Sequence, residues 1–274
     1  MKTFSNRLAG WLATSVLALG LVAIAQPALA GIASSKHNLG TGGTGSNKLT
    51  AGTAEICVFC HTPHAANTAV PAPLWNKGTT GSTYTMYSST NSATYNATNS
   101  GPGSISRACL SCHDGSQAMD NMINAPGSGG YNAAGAQLAG ATWTASVGAL
   151  GLMPVGVARL GTDLRDDHPV GMNYCAGGAN PSANGNCTDP DFALATAAGT
   201  RYWIEDGTAV ANVANSPGIS GAGFQSSDLP LYTTGALSNQ VECATCHDPH
   251  TTVNPTFLRK TTDGSGICLT CHAK

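Results

Sequence analysis

The chain has 274 residues, of which only 9% are charged, and a formal net charge of −2. After Ala30, Ile, Leu, Val and Phe make up 36 of 244 residues, or 15%, below the roughly 20% at which side chains alone usually sustain a packed core. The low charge also argues against a disordered polyelectrolyte and against a nucleic-acid binder, which needs a basic face, so something besides side chains is expected to build the core.

Residues 1–30 read as an export signal. Lys2 and Arg7 form a basic end, Leu12 to Ala25 an apolar run, and Ala28-Leu29-Ala30 a small-residue cleavage site. Ala23-Ile24-Ala25 is a second choice of cleavage site, and an uncleaved anchor is the alternative to cleavage. No later segment approaches the roughly 18 apolar residues of a membrane span, and no cysteine near the cleavage site suggests a lipid anchor. The expectation is an exported protein without a stable membrane anchor. Phosphate-binding and nucleophile-elbow motifs are absent from the sequence.

Residues 31–113 begin with a Gly-, Ser- and Thr-rich arm carrying His37, and 78–104 is almost all Ser, Thr, Asn, Tyr and Gly without helical period. Residues 114–240 read as an irregular segment that carries His168 and no Cys-x-x-Cys-His motif. A short helix is expected at Asp191 to Ala198, after the Asp189-Pro190 turn signal. Residues 241–274 form the C-terminal segment. Glu55 to His64 and Glu242 to His250 both end in Cys-x-x-Cys-His-x-Pro-His, which marks an internal repeat.

Eight of ten cysteines fall into Cys-x-x-Cys-His: Cys57-Cys60-His61, Cys109-Cys112-His113, Cys243-Cys246-His247 and Cys268-Cys271-His272. This is the attachment signature of c-type haem. Two thiols one helical turn apart each form a thioether to one porphyrin edge, and the following imidazole meets the iron. A redox dithiol or half a zinc site does not require a histidine after every pair. A chance match is on the order of one in a thousand per cysteine, so four are no accident. Four covalently bound haem c groups are expected, with a core built of haem and an apo chain that is unfolded.

The remaining histidines, His37, His64, His168 and His250, equal in number the open iron positions. Four bis-histidine irons follow, and saturated irons argue for electron transfer over catalysis. Met119 and Met122 are alternative axial ligands. His64 lies three residues after His61 and His250 three after His247, so neither reaches the opposite face of its own haem; each serves another. Pro169 biases His168 towards extended backbone, where an adjacent carboxylate could hold its second nitrogen. Cys175 and Cys187 are expected to pair as a disulfide, and Asp189 and Asp191 are candidate calcium acids.

The haem motifs together with Ser35-Lys36-His37-Asn38-Leu39, Cys57 to His64, Pro73-Leu74-Trp75-Asn76, Cys112-His113-Asp114-Gly115, Asp167-His168-Pro169-Val170-Gly171 and Cys243 to His250 resemble the OmcE-like family of tetrahaem cytochromes that polymerise into extracellular nanowires. The resemblance implies a mostly irregular coil fold with a few short helices and a continuous stack of bis-histidine haems in alternating parallel and T-shaped pairs. It implies a homopolymer in which one histidine, His64 first and His37 second, crosses to a neighbouring copy. Other redox cytochromes and extracellular electron acceptors would be its partners. The low charge agrees with self-association. A monomeric periplasmic shuttle and a multihaem reductase are the competing readings.

Overall fold

The structure, a computed structural model, describes residues 31–177, 181, 187, 189–206, 224–234 and 237–273; the export signal lies outside them. Helix accounts for 17% and strand for 19%, so most of the backbone is loop and turn, as the composition implies. The longest helix, α1, spans Ser104–His113. Gly115, at φ 71°, ends it in the left-handed conformation that glycine adopts without penalty, leaving His113 on the last turn. The other α-helices, α2 at Cys243–Cys246 and α3 at Gly266–Cys271, are about as short as the motifs they help to form.

Nine short strands occur among the described residues. β1 (Leu49–Ala51) pairs with β4 (Thr142–Trp143), and β2 (Asn121–Asn124) with β3 (Tyr131–Gln137). β5 (Met172–Asn173) pairs with β9 (Gln240–Val241), and β6 (Thr196–Ala198), β7 (Arg201–Ile204) and β8 (Leu229–Leu231) form a three-stranded antiparallel sheet. The segment 114–240 carries the short strands β2 to β8 within otherwise irregular chain among its described residues. One expectation is corrected here. Within Asp191 to Ala198, Thr196–Ala198 is a strand, not helix, because its backbone groups pair with Arg201–Trp203 across the turn at Gly199.

Side chains build three small clusters in place of one core, each containing motif residues or touching them. Leu49, Val58, Phe59 and Met122 pack together, with Cys60 against them. Val70, Trp75 and Ala108 form the second, again beside Cys60. The largest gathers Met172, Tyr174, Cys175, Ile204, Leu229 and Val241 against Ile267 and Cys271. Met122 is thus committed to the first cluster, and Met119 is buried as well.

Buried polar side chains hold the loops between the clusters. Asn76, fully buried, donates to the carbonyls of Val58 (2.7 Å) and Asn124 (2.9 Å) and accepts from the Asn124 N–H (2.8 Å). Gln240 donates to Ser100 Oγ and to the Gly171 carbonyl, both at 2.9 Å. Irregular backbone survives burial only when its polar groups are satisfied in this way.

Candidate haem sites

Each motif closes one helical turn. The amide of the motif histidine donates to the carbonyl of the first cysteine, from His61 to Cys57 at 2.8 Å, His247 to Cys243 at 3.0 Å and His272 to Cys268 at 2.9 Å. In the second motif the turn is the end of α1. The two cysteines of each motif therefore share one side of the chain. All eight thiols are free, and burial pushes Cys60 and Cys271 up to about 12 and Cys246 up to about 11. At these three positions the surroundings suit an uncharged sulfur, as in a thioether, better than the thiolate that zinc takes, whereas the contact with Cys109 pulls Cys243 down. Among the described residues no three His, Cys, Asp or Glu side chains converge as a metal cluster.

A recurring backbone clip holds three of the four motif histidines. At the first site Thr62 N–H donates to Leu74 and Asn76 N–H to Cys60, both at 2.8 Å, so that Trp75 bridges His61. At the third, Asp248 N–H donates to Phe257 (2.8 Å) and Arg259 N–H to Cys246 (2.9 Å), and Leu258 bridges His247. At the fourth, Ala273 N–H donates to Asp191 and Ala193 N–H to Cys271, both at 2.8 Å, and Phe192 bridges His272. Leu74 and Phe257 take equivalent left-handed conformations, φ 57° and 63°, so the repeat seen in the sequence extends to a clip that shares backbone geometry but no residue types.

The imidazoles are held by one nitrogen. Nδ1–H of His61 donates to the Pro73 carbonyl and that of His113 to Ala158, both at 2.6 Å, and that of His247 to Thr256 at 2.8 Å. His168 Nδ1 contacts the Pro169 carbonyl at 3.1 Å, so the carbonyl of the next residue stands where a carboxylate is expected. The Pro249 carbonyl serves His37, and Asp248 Oδ1 lies 3.3 Å from His250 Nδ1. An imidazole anchored through Nδ1 presents Nε2 to a metal in fixed orientation.

The histidines then fall into pairs. The ring centres of His61 and His250 are 6.0 Å apart with planes 19° from parallel, and those of His37 and His113 are 6.3 Å apart at 70°. A metal–nitrogen bond of about 2 Å plus about 1.1 Å to each ring centre puts two imidazoles on one iron about 6 Å apart. Burial, reinforced by His113, pulls His37 down to about 4, and burial also lowers His113; both rings are held in the neutral form that ligates metal. His168 lies close enough to His272 to feel its charge. His37 therefore faces its own chain's second site. The ring packs face to face on Phe257, 4.3 Å between centres, and that contact draws the arm inwards.

Two histidines are left over. The His64 carbonyl is fixed by Asn124 Nδ2 at 2.6 Å, but its side chain is exposed, with no ring facing it among the described residues. His247 is exposed too; it is near enough to act on His37 and His113 electrostatically, but no histidine ring faces it among the described residues.

Neighbouring sites approach one another at their thiols: Cys109 and Cys243 are in hydrogen-bond contact, and Cys112 and Cys246 lie near enough to Cys60 and Cys271 to act on them electrostatically. Exposed aliphatic residues accompany every site. Leu74 follows Pro73, Val157 precedes Ala158, Val253 lies near Thr256, and Leu269 sits inside the fourth motif. Thiol pairs on one turn, imidazoles fixed through Nδ1, ring spacing near 6 Å and uncovered apolar side chains together fit a covalently attached haem. The candidate calcium acids do not gather a site: Asp189 is occupied by Asn96 Nδ2 (3.0 Å) and the Asp191 N–H (2.9 Å).

A mostly irregular chain with thiols and histidines so arranged is consistent with a multihaem c-type cytochrome. The family described as doubled CXXCH motif matches residues 235–274, covering the third and fourth sites and marking a c-type cytochrome-like haem-binding region. No curated protein matches the chain.

Proposed function

We propose that the protein is a tetrahaem c-type cytochrome that polymerises into an extracellular conducting filament and transfers electrons without transforming a substrate. Bound haem supplies one-electron chemistry at its iron. The chain's own residues do the rest. The cysteine pairs fix each attachment edge, His61, His113, His247 and His272 offer proximal nitrogens, and the carbonyls of Pro73, Ala158 and Thr256 keep the first three from rotating. His250, His37 and His168 are the distal partners of the first, second and fourth sites. The thiol contacts support a path through the sites in chain order, since close approach governs tunnelling.

The single observation that carries the polymer reading is the leftover pair. Two sites have a facing histidine ring within the chain and His168 lies within electrostatic reach of His272, while exposed His64 and exposed His247 have no facing histidine ring among the described residues. A second copy that brings its His64 to the third site completes both and propagates the stack. A lone chain would leave the third site with an exchangeable position, which is what a reductase requires and is the second reading.

Cryo-electron microscopy of sheared extracellular material and of the purified haem-loaded protein tests this. Ordered filaments with continuous haem density are expected, and His64→Ala is expected to yield single subunits with a high-spin signal from one haem in four. Monodisperse single chains from both sources, all low-spin, would establish a periplasmic shuttle instead. Cyanide binding at one haem accompanied by substrate turnover would establish the reductase.

A further inference from the structure

Lys77 is fully buried, an unusual place for an ammonium group. Its Nζ donates to the carbonyls of Ala118 (3.3 Å), Met119 (3.0 Å) and Asn121 (2.8 Å). Three backbone oxygens satisfy its hydrogen bonds without neutralising it, and among the described residues no carboxylate lies within 4.0 Å of it. Buried Asp120 in the same turn is engaged instead by Gln137 Nε2 at 3.3 Å. Lys77 directly follows Asn76, whose amide donates to the Cys60 carbonyl, and the Cys60 thiol feels its charge.

The second site carries the opposite sign. Asp114, next to His113 and 3% exposed, accepts from Tyr84 Oη (2.8 Å), Thr80 Oγ1 (3.0 Å) and Ser116 (2.8 Å to N, 2.7 Å to Oγ). The acid at the first site, Asp248 beside His250, is offset by the Arg259 guanidinium at 3.6 Å. One short segment, residues 77–84, thus supplies a buried cation to the first site and hydrogen-bond donors to a buried anion at the second.

We propose that Lys77 holds the first haem site at a higher reduction potential than the second, so that an electron shared between them rests at the first. This rests on the tetrahaem reading above. The step it biases is one electron moved between two irons, one reduced and the other oxidised, with no bond changed and no proton moved. An added electron makes a site one unit more negative, and a fixed cation in a dry interior favours that state. At an effective dielectric of about 20, a unit charge shifts such an equilibrium roughly tenfold across about 10 Å, or about 59 mV for one electron.

The test is a potentiometric titration of the intact haem-loaded protein, followed by electron paramagnetic resonance. The near-parallel rings of the first site are identified by their rhombic low-spin signal, the crossed rings of the second by a strongly axial one. In the unmodified protein the rhombic signal is expected to disappear at the higher potential; the reverse order overturns the proposal. Lys77→Gln is expected to lower the rhombic midpoint by about tenfold in the reduced-to-oxidised ratio, and Lys77→Arg to leave it in place. A fully loaded Lys77→Gln protein with an unmoved rhombic midpoint overturns it, as does an equal shift in Lys77→Arg. If the glutamine variant does not accumulate, the order in the unmodified protein decides. Fewer than four haems in the unmodified protein would count against the tetrahaem reading, not against Lys77.

Discussion

His250 presents its imidazole to His61, ring centres 6.0 Å apart and planes within 19° of parallel, although it belongs to the third motif's repeat. Its neighbours serve other sites: the Pro249 carbonyl holds His37 opposite His113, and the amide of Asp248 closes the clip on the third site. Three consecutive residues therefore touch the machinery of three sites, and a shift in this tripeptide disturbs all of them.

The ring angles make a spectroscopic prediction. Parallel axial imidazoles split the iron orbitals in the plane and give a rhombic low-spin resonance, whereas crossed imidazoles leave those orbitals nearly degenerate and give a strongly axial one. Angles of 19° at the first site and 70° at the second predict a rhombic signal from the first and a strongly axial one from the second in the oxidised protein. His250→Ala is expected to remove the rhombic signal and replace it with a high-spin one. If only the axial signal is lost in that variant, the pairing of His61 with His250 is wrong.

The disulfide between Cys175 and Cys187, with Cα atoms 5.1 Å apart, leads the chain into the clip on the fourth site. Cys175 packs in the cluster that touches Cys271 and Ile267, and the neighbouring Tyr174 hydroxyl donates to Ala193 at 2.8 Å. Removing both cysteines as Cys175→Ser and Cys187→Ser is expected to cost about 3 kcal/mol by loop-closure entropy. Denaturant unfolding of the haem-loaded protein measures this. The rhombic and axial signals of the first two sites should be unchanged. A variant as stable as the parent would mean that the cluster alone fixes the segment.

The attachment turns and the disulfide could be read from residue spacing because both are local or nearly so: a thiol pair and its histidine span five residues. The axial pairs could not, since nothing near His61 encodes that its partner is His250 rather than His64 or His168. The clips stayed hidden for a different reason. Pro73-Leu74-Trp75 and Thr256-Phe257-Leu258 share backbone conformation and hydrogen bonds, not side chains. The strands within 114–240 are two to seven residues long, and distant partners such as Gln240–Val241 for Met172–Asn173 decide them. Lys77 gave no signal at all, lying at the edge of a polar stretch that reads as solvated surface.

Glu242 provides a pH test. It is 1% exposed and joins two motifs, capping α2 through Thr245 while accepting from Ser106 and, at 3.0 Å, from the Gly103 amide before α1. Burial raises its pKa above the ordinary 4.5, and bonds from Ser106 and Gly103 and the charge of Arg107 oppose this without cancelling it. A group with a raised folded pKa binds its proton more tightly when folded. Its contribution is therefore complete below about 4.5 and is lost as pH rises through the folded value. Other buried acids titrate nearby: burial also raises Asp228, while Asp248, despite burial, is held low by His250 and Arg259. The difference between parent and variant isolates Glu242. Glu242→Gln keeps an acceptor for Gly103 and cannot ionise, so its stability should fall less than the parent's as pH is raised from 4.5. Denaturant midpoints of the two haem-loaded proteins across that window measure the slope. Equal slopes would mean that the carboxylate titrates alike in folded and unfolded chains.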